Sequence, residues 1–164
     1  AIIRQHIDAY FDYIYPVPIF SFLHRAEFLG HYTAGIISPA LLLAVCGVSS
    51  RFLPSAHERT GMIKSWIELA ETMIFQNLGK INIANVQTLM LLELYRMYNH
   101  QNGKSFLYIS LAVRMAYSLK LHKEASQLPF VEQESRRRLL WCMFILDRLH
   151  AGGVPVGPCP KCSF

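Results

Sequence analysis

The sequence predicts an all-α fold, and three observations lead there. No stretch sustains the strict apolar–polar alternation of a half-buried strand. Leucine is abundant, whereas Val and Thr, whose branched side chains suit a pleated surface, are sparse. Apolar residues recur at helical spacing between turn signals along most of the chain. Together they describe a bundle of about six helices with short connections.

The first helix spans residues 2–15, with Ile3, Ile7, Tyr10, Phe11 and Ile14 at helical spacing. Pro16 and Pro18 end it, because proline lacks the N–H a helix needs. A short helix follows near residues 24–28. The next begins at Ser38, an N-cap residue, with Pro39 at the first helical position. Around it, residues 29–50 are free of Asp, Glu, Lys and Arg. A membrane span needs about 20 predominantly apolar residues. This stretch is interrupted by Gly30, His31, Thr33, Gly35, Ser38 and Pro39, so it reads as a buried core helix. Ser55, Ala56, His57 and Glu58 form a capping box that opens the third helix. Its apolar stripe is Met62, Ile63, Trp66, Leu69, Ala70, Met73 and Ile74, and Gly79 closes it. The fourth helix spans residues 85–99. Asn102 and Gly103 make a tight turn into the fifth, which ends near Lys120. Pro129 precedes the sixth, whose first turn holds Glu132 and Glu134 on the favourable side of the helix dipole. No internal repeat of fixed period suggests a solenoid.

Residues 139–146 are apolar without a break. A helix with no polar stripe is expected to be buried on nearly every side. Asp147 lies just beyond, and a carboxylate is rarely buried without a partner. Arg114, set in an apolar stretch of the fifth helix, is the expected ion-pair partner, with Glu93 as the reserve partner for Arg114. Five preceding helices can cover only part of the sixth. The chain, which opens at Ala1, therefore reads as an incomplete part of a larger helical domain, with residues 1–151 helical and 152–164 an irregular Gly/Pro-rich tail. Part of the sixth helix, or of the helix from Ser38, should then show as an exposed apolar patch.

Composition bounds the function. The 164 residues are 52% hydrophobic and 16% charged, against about 25% charged on average. So apolar a surface points to protein partners or self-association. A net charge of +5 permits acidic partners but does not by itself indicate nucleic-acid binding. Arg136, Arg137 and Arg138 spread over most of a helical turn, so they cannot present one phosphate-binding surface, and one of them must face the core. The first residues include Arg4, His6 and Asp8, which is not a signal peptide. Cys46 and Cys142 sit in apolar helices as reduced, buried thiols. Cys159 and Cys162 have the spacing of half a zinc site, and a structural site needs four ligands. His24, His57, His122 and His150 stand in no nucleophile or metal motif, and no GxSxG, HExxH or phosphate-binding glycine loop is present. No catalytic residue is expected. His122 follows a helix C-terminus, where it can bond the last carbonyls. The aromatic and methionine residues read as core, although a bundle can keep a pocket for a small-molecule effector.

Several segments carry a family likeness when taken in order. They are SLAVRMA at residues 110–116, LHKE at 121–124 and ESRRRLLWCMFILDR at 134–148. Upstream stand IDAYFDYIYPVPIF at 7–20, Leu23-His24-Arg25 with Phe28, SPALLLAVCGVSSRF at 38–52 and VQTLMLL at 86–92. In this order they resemble the middle homology region of fungal zinc-cluster transcription factors. That family shows Gly/Ser-Leu-Ala-x-Arg-Met-Ala, a Leu-His-Arg/Lys-Glu element, and Glu-x-Arg-Arg-Arg-x-Trp running to Asp-Arg. The resemblance assigns its motif positions to Arg114, His122, Glu134, Arg137, Trp141, Asp147 and Arg148. The family's usual Gly-Arg-Pro after Asp-Arg is met only by Gly153-Val154-Pro155, where the likeness ends. The resemblance implies a nuclear protein that regulates transcription by RNA polymerase II. It also implies that DNA and zinc are bound by an N-terminal six-cysteine, two-zinc module. No run of closely spaced cysteines precedes Cys46, so these residues would hold the regulatory helical body and no cofactor of their own. Expected partners are other proteins or a second copy, DNA only through the zinc module, a possible effector, and no membrane. The alternative is a stand-alone helical interaction domain with no link to transcription.

Overall fold

The computed structural model describes residues 2–54 and 60–152. Among the described residues seven α-helices follow one another: α1 Ile2–Ala9, α2 Arg25–Thr33, α3 Pro39–Ser49, α4 Thr60–Gln76, α5 Ile83–Tyr98, α6 Asn102–Ser118 and α7 Phe130–His150. No strand occurs among the described residues, and the all-α expectation holds. The count exceeds six because the segment near residues 24–28 forms the full helix α2. The expected first helix is α1 continued by a π turn, Tyr10–Ile14. A 3-10 turn, Pro18–Phe20, then redirects the chain, and the Tyr10 hydroxyl donates to the Phe20 carbonyl at 2.9 Å.

Helix starts follow local chemistry. His24 Nδ1 accepts the Glu27 N–H at 3.3 Å and caps α2. Asn82 Oδ1 accepts the Asn85 N–H at 2.9 Å and caps α5, so that helix begins two residues before the expected start. Ser38 stands at the N-cap of α3 with Pro39 next, but its side chain makes no capping bond. Helix stops depend on single residues in the left-handed region. Gly35 (φ 70°), His100 (φ 57°) and Lys120 (φ 53°) follow α2, α5 and α6. In each case the next N–H reaches back five residues: Ile36 to His31, Gln101 to Arg96 and Leu121 to Ala116. The turn between α5 and α6 therefore lies at His100, and Asn102 and Gly103 are already helical, contrary to the expected tight turn. Likewise α4 stops at Gln76, before Gly79.

The core is layered around α5. Val86, Leu89, Met90, Leu91, Leu92 and Leu94 are all fully buried. This helix packs on α3 on one side and α6 on the other, α4 covers α3, and α7 lies against α6 and the Pro18–Phe20 turn. The helix enclosed all round is thus α5, and the expectation of burial on nearly every side fails for α7. Only Leu139, Cys142, Met143 and Leu146 of α7 are buried, an ordinary one-sided stripe. Trp141 is 51% exposed and Leu149 62%, which agrees with the expected apolar patch. The reason is position: α7 has neighbours on one flank only.

The stripe on α4 is also turned from the expected one. Ile67, Ala70 and Ile74 are buried, while Met62 and Leu69 are exposed. Gly47 on α3 sets that facing. A Cβ there would stand 2.7 Å from Ile67 Cγ1, so only glycine lets Ile67 seat against the α3 backbone. The capping box at residues 55–58 lies outside the described residues. The apolar stretch 29–50 contributes the core helix α3, and no helix among the described residues is long and apolar enough to cross a membrane.

Candidate functional site

The N-terminal half of α7 carries the motif residues Glu134 and Arg137. Glu134 accepts hydrogen bonds from Arg137 Nη1 and Arg138 Nε, each at 2.9 Å. The Arg138 hydrogen bond, more than any other cause, holds the Glu134 carboxyl below the usual carboxylate range. Arg137 also reaches Glu124 at 3.3 Å, and Arg138 Nη1 donates to the Tyr15 hydroxyl at 3.3 Å. Arg136 turns inward and donates to the Leu119 carbonyl at the end of α6 at 3.2 Å. The triplet therefore splits as its spacing requires, one arginine inward and two outward. His122 does not cap α6: it is exposed, its ring 5.3 Å from that of Tyr117, and Arg136 takes the carbonyl instead.

The C-terminal half is arranged differently. Trp141 meets Phe144 edge to face at 6.0 Å, and the Arg148 guanidinium lies 5.2 Å over the same Phe144 ring. Arg148 Nε is buried without a hydrogen-bond partner. Asp147 is half-buried, Arg114 is exposed, and no ion pair joins them. The expected bridge fails on helical phase. The buried face of α6 is Ser105, Tyr108, Ile109, Ala112, Met115 and Ala116, and Arg114 stands two residues, about 200°, from Ala112. Glu93 does not serve as its reserve partner either.

Two buried polar clusters take the place of that bridge. In the first, Glu93 on α5 has no exposed surface. Its Oε1 accepts from Ser105 Oγ at 2.9 Å and lies 2.6 Å from His150 Nε2 at the end of α7. Burial pushes the Glu93 carboxyl up, and the bonds to His150 and Ser105 oppose that shift. In the second, Arg96 donates from Nε to Glu71 Oε1 and from Nη1 to Gln101 Oε1, both at 2.6 Å. The Tyr108 hydroxyl donates to the same Glu71 oxygen at 2.7 Å, and burial, then that bond, pushes its pKa well up. One signal for the first cluster was in the sequence: Glu93 is a lone charge in the run LMLLELY. The second carried none, since Glu71 and Arg96 stand 25 residues apart.

The chemistry open to these groups is limited. Ser105, His150 and Glu93 are the residue types of a hydrolytic triad, but Ser105 is fully buried and donates its proton to the carboxylate. No substrate carbonyl can approach its oxygen. Among the described residues no group of three His, Cys, Asp or Glu could hold a metal ion, and Cys159 and Cys162 lie outside them. Cys46 and Cys142 are free and buried. A cleft of about 380 Å³ opens where α2, α3, α5 and α7 meet, floored by Leu23, Phe28 and Leu41 and rimmed by Glu27, Glu132 and Arg136.

A profile described as the fungal specific transcription factor domain matches residues 7–153. The chain belongs to that family. Similar proteins carry consistent names. The Zn(2)-C6 fungal-type transcription factor FTF1c of Fusarium oxysporum f. sp. lycopersici is 29% identical over 92% of this chain and 18% of its own length. FTF2 of the same fungus is 28% identical over 92% of this chain and 16% of its own length. A transcriptional regulatory protein of Schizosaccharomyces pombe is 27% identical over 89% of this chain and 17% of its own length. The chain thus spans less than a fifth of the curated relatives it matches. No solved structure matches it. Within this fungal transcription factor domain, the matched span takes in every described helix from α2 to α7 and the end of α1. The chain's four cysteines are too few for the six that a Zn(2)-C6 module names.

Proposed function

We propose that this domain is the regulatory helical body of a fungal zinc-cluster transcription factor acting on RNA polymerase II transcription in the nucleus. DNA reading, with its zinc, falls to a separate six-cysteine module. The match over residues 7–153 carries the reading. The disposition of charge supports it: Arg136, Arg137 and Arg138 are engaged by Leu119, Glu124, Glu134 and Tyr15, so the densest basic run is not a free phosphate-binding face. The exposed side of α7 is the surface through which the domain would meet protein partners, and the cleft between α2, α3, α5 and α7 is where a small effector would enter. The domain performs its work by contact and by shifts between packed states.

Two measurements test this. Joined to a heterologous DNA-binding module, the domain should raise or lower expression of a reporter carrying that module's site. Fluorescence anisotropy with labelled duplexes should show only weak association that fades with salt and ignores sequence. A silent fusion together with sequence-selective binding by the domain alone would overturn the proposal. Purified domain should also carry far less than one zinc ion per chain, since half a site is all Cys159 and Cys162 could supply.

A further inference from the structure

The last residue of α7 is tied to the middle of α5. His150 Nε2 stands 2.6 Å from Glu93 Oε1 and Ser105 Oγ 2.9 Å from it. The other carboxylate oxygen, Oε2, is buried and has no hydrogen-bond partner. Among the described residues His150 is the one side chain able to carry a positive charge within ion-pairing distance of Glu93. Among the described residues, no other charged group on the neighbouring helices forms an ion pair with Glu93. Glu71 on α4, Arg96 on α5 and Tyr108 on α6 satisfy one another. Lys104 on α6 is exposed, Asp147 makes no ion pair, and Arg148 lies over Phe144.

A carboxylate so placed needs either a positive imidazole beside it or a proton of its own. The pair therefore holds one proton that a bare carboxylate and a neutral imidazole do not. Losing it leaves an anion in an apolar interior, held only by neutral donors. The least disruptive relief is for the last turns of α7 to lift and admit water. That half of α7 is suited to lifting, because Trp141, Ile145 and Leu149 already face solvent and only Cys142, Met143 and Leu146 are buried there.

We propose that Glu93, Ser105 and His150 form a proton-operated latch, closed while the pair keeps its shared proton, whose opening at higher pH frees the C-terminal half of α7 and bares Met143 and Leu146. The electrostatics agree in sign. Burial raises the Glu93 carboxyl. A group whose folded pKa is raised stabilises the fold below its unfolded pKa, and that stability is lost as pH rises through the folded value. The closed state is thus favoured on the acid side. The latch rests on this geometry alone and does not depend on the proposed function.

Hydrogen–deuterium exchange at a series of pH values, corrected for intrinsic rates, tests it on the whole chain. Peptides covering residues 141–150 should lose protection as pH rises, by at most about tenfold per unit for one proton. Peptides covering residues 86–94 should hold theirs. Glu93→Gln, which keeps the shape and has no proton to lose, should flatten the profile. His150→Ala, a change at the end of α7, should cut protection of 141–150 at neutral pH while sparing 86–94. A flat wild-type profile, a Glu93→Gln slope equal to wild type, unchanged protection in His150→Ala, or joint loss in both peptides would each overturn the latch.

Discussion

Arg96 carries its charge to a place that water scarcely reaches, 6% exposed, and keeps it there by giving its donors to Glu71 and Gln101. Removing it would leave Glu71 with Tyr108 as its remaining donor. Arg96→Ala should cost about 3–5 kcal/mol, the range for breaking a buried pair from one side. Arg114→Ala, at an exposed position without an ion pair, should stay within about 0.5 kcal/mol. Urea unfolding of both variants decides, and equal losses would refute the assignment. The thiols offer a second test at this scale. Burial pushes Cys46 up to about 12 and raises Cys142, whose Sγ donates to the Pro18 carbonyl at 3.3 Å. Thiolate is the reactive form. At mildly alkaline pH, iodoacetamide should therefore leave both unlabelled in the folded chain and modify both after denaturation. Rapid native labelling of Cys46 would contradict its burial.

At the scale of elements, the approach of α3 to α4 turns on Gly47. Gly47→Ala improves helix propensity by about 1 kcal/mol, but overpacking against Ile67 costs about 1–3 kcal/mol. The melting temperature should fall. Adding Ile67→Val should recover part of the loss, because the two sites are in contact. The end of α6 gives the opposite sign. Lys120 holds φ 53°, a conformation that costs an L-residue about 1–2 kcal/mol. Lys120→Gly should raise the melting temperature by a few degrees, and a drop would show that the lysine side chain does something its geometry does not reveal.

These same elements show what was legible beforehand. Helix starts were readable where a proline marks them, Pro39 after Ser38 and Pro129 before α7, and less so at α5, whose side-chain cap is Asn82. The ends near residues 99 and 120 were placed correctly, although nothing in the sequence marked His100 and Lys120 as their left-handed residues; the stop of α4 was misplaced because Gly79 adopts no such conformation. The apolar runs in α5 and α7 look alike in sequence, and only the stacking order gives α5 neighbours on both flanks. The facing of α4 was unreadable without knowing that Gly47 lies beneath Ile67. Arg114 was the expected buried charge and Glu93 only its reserve partner; helix phase put Arg114 in solvent and Glu93 in the core.

For the whole molecule, the uncovered side of α7 is the main departure from a closed globule. Trp141, Ile145 and Leu149 recur at every fourth position and are 51%, 40% and 62% exposed. Apolar surface so aligned favours association. The purified chain should bind a hydrophobic dye and self-associate, and Trp141→Glu with Ile145→Glu should reduce both. A dye-silent monomer with a sharp cooperative melt would show that this face is too small to matter.

The bond between Cys142 and the Pro18 carbonyl joins residues 124 apart, and that between Arg138 and Tyr15 joins residues 123 apart. The turn around Pro18 is thus sealed by α7, far later in the sequence. During synthesis at about 5–20 residues per second, the turn around Pro18 waits on the order of ten seconds for the helix that covers it. Until α7 emerges, Phe20 and its neighbours lack part of their cover, and in that interval the nascent domain stands most open to capture by chaperones or to aggregation.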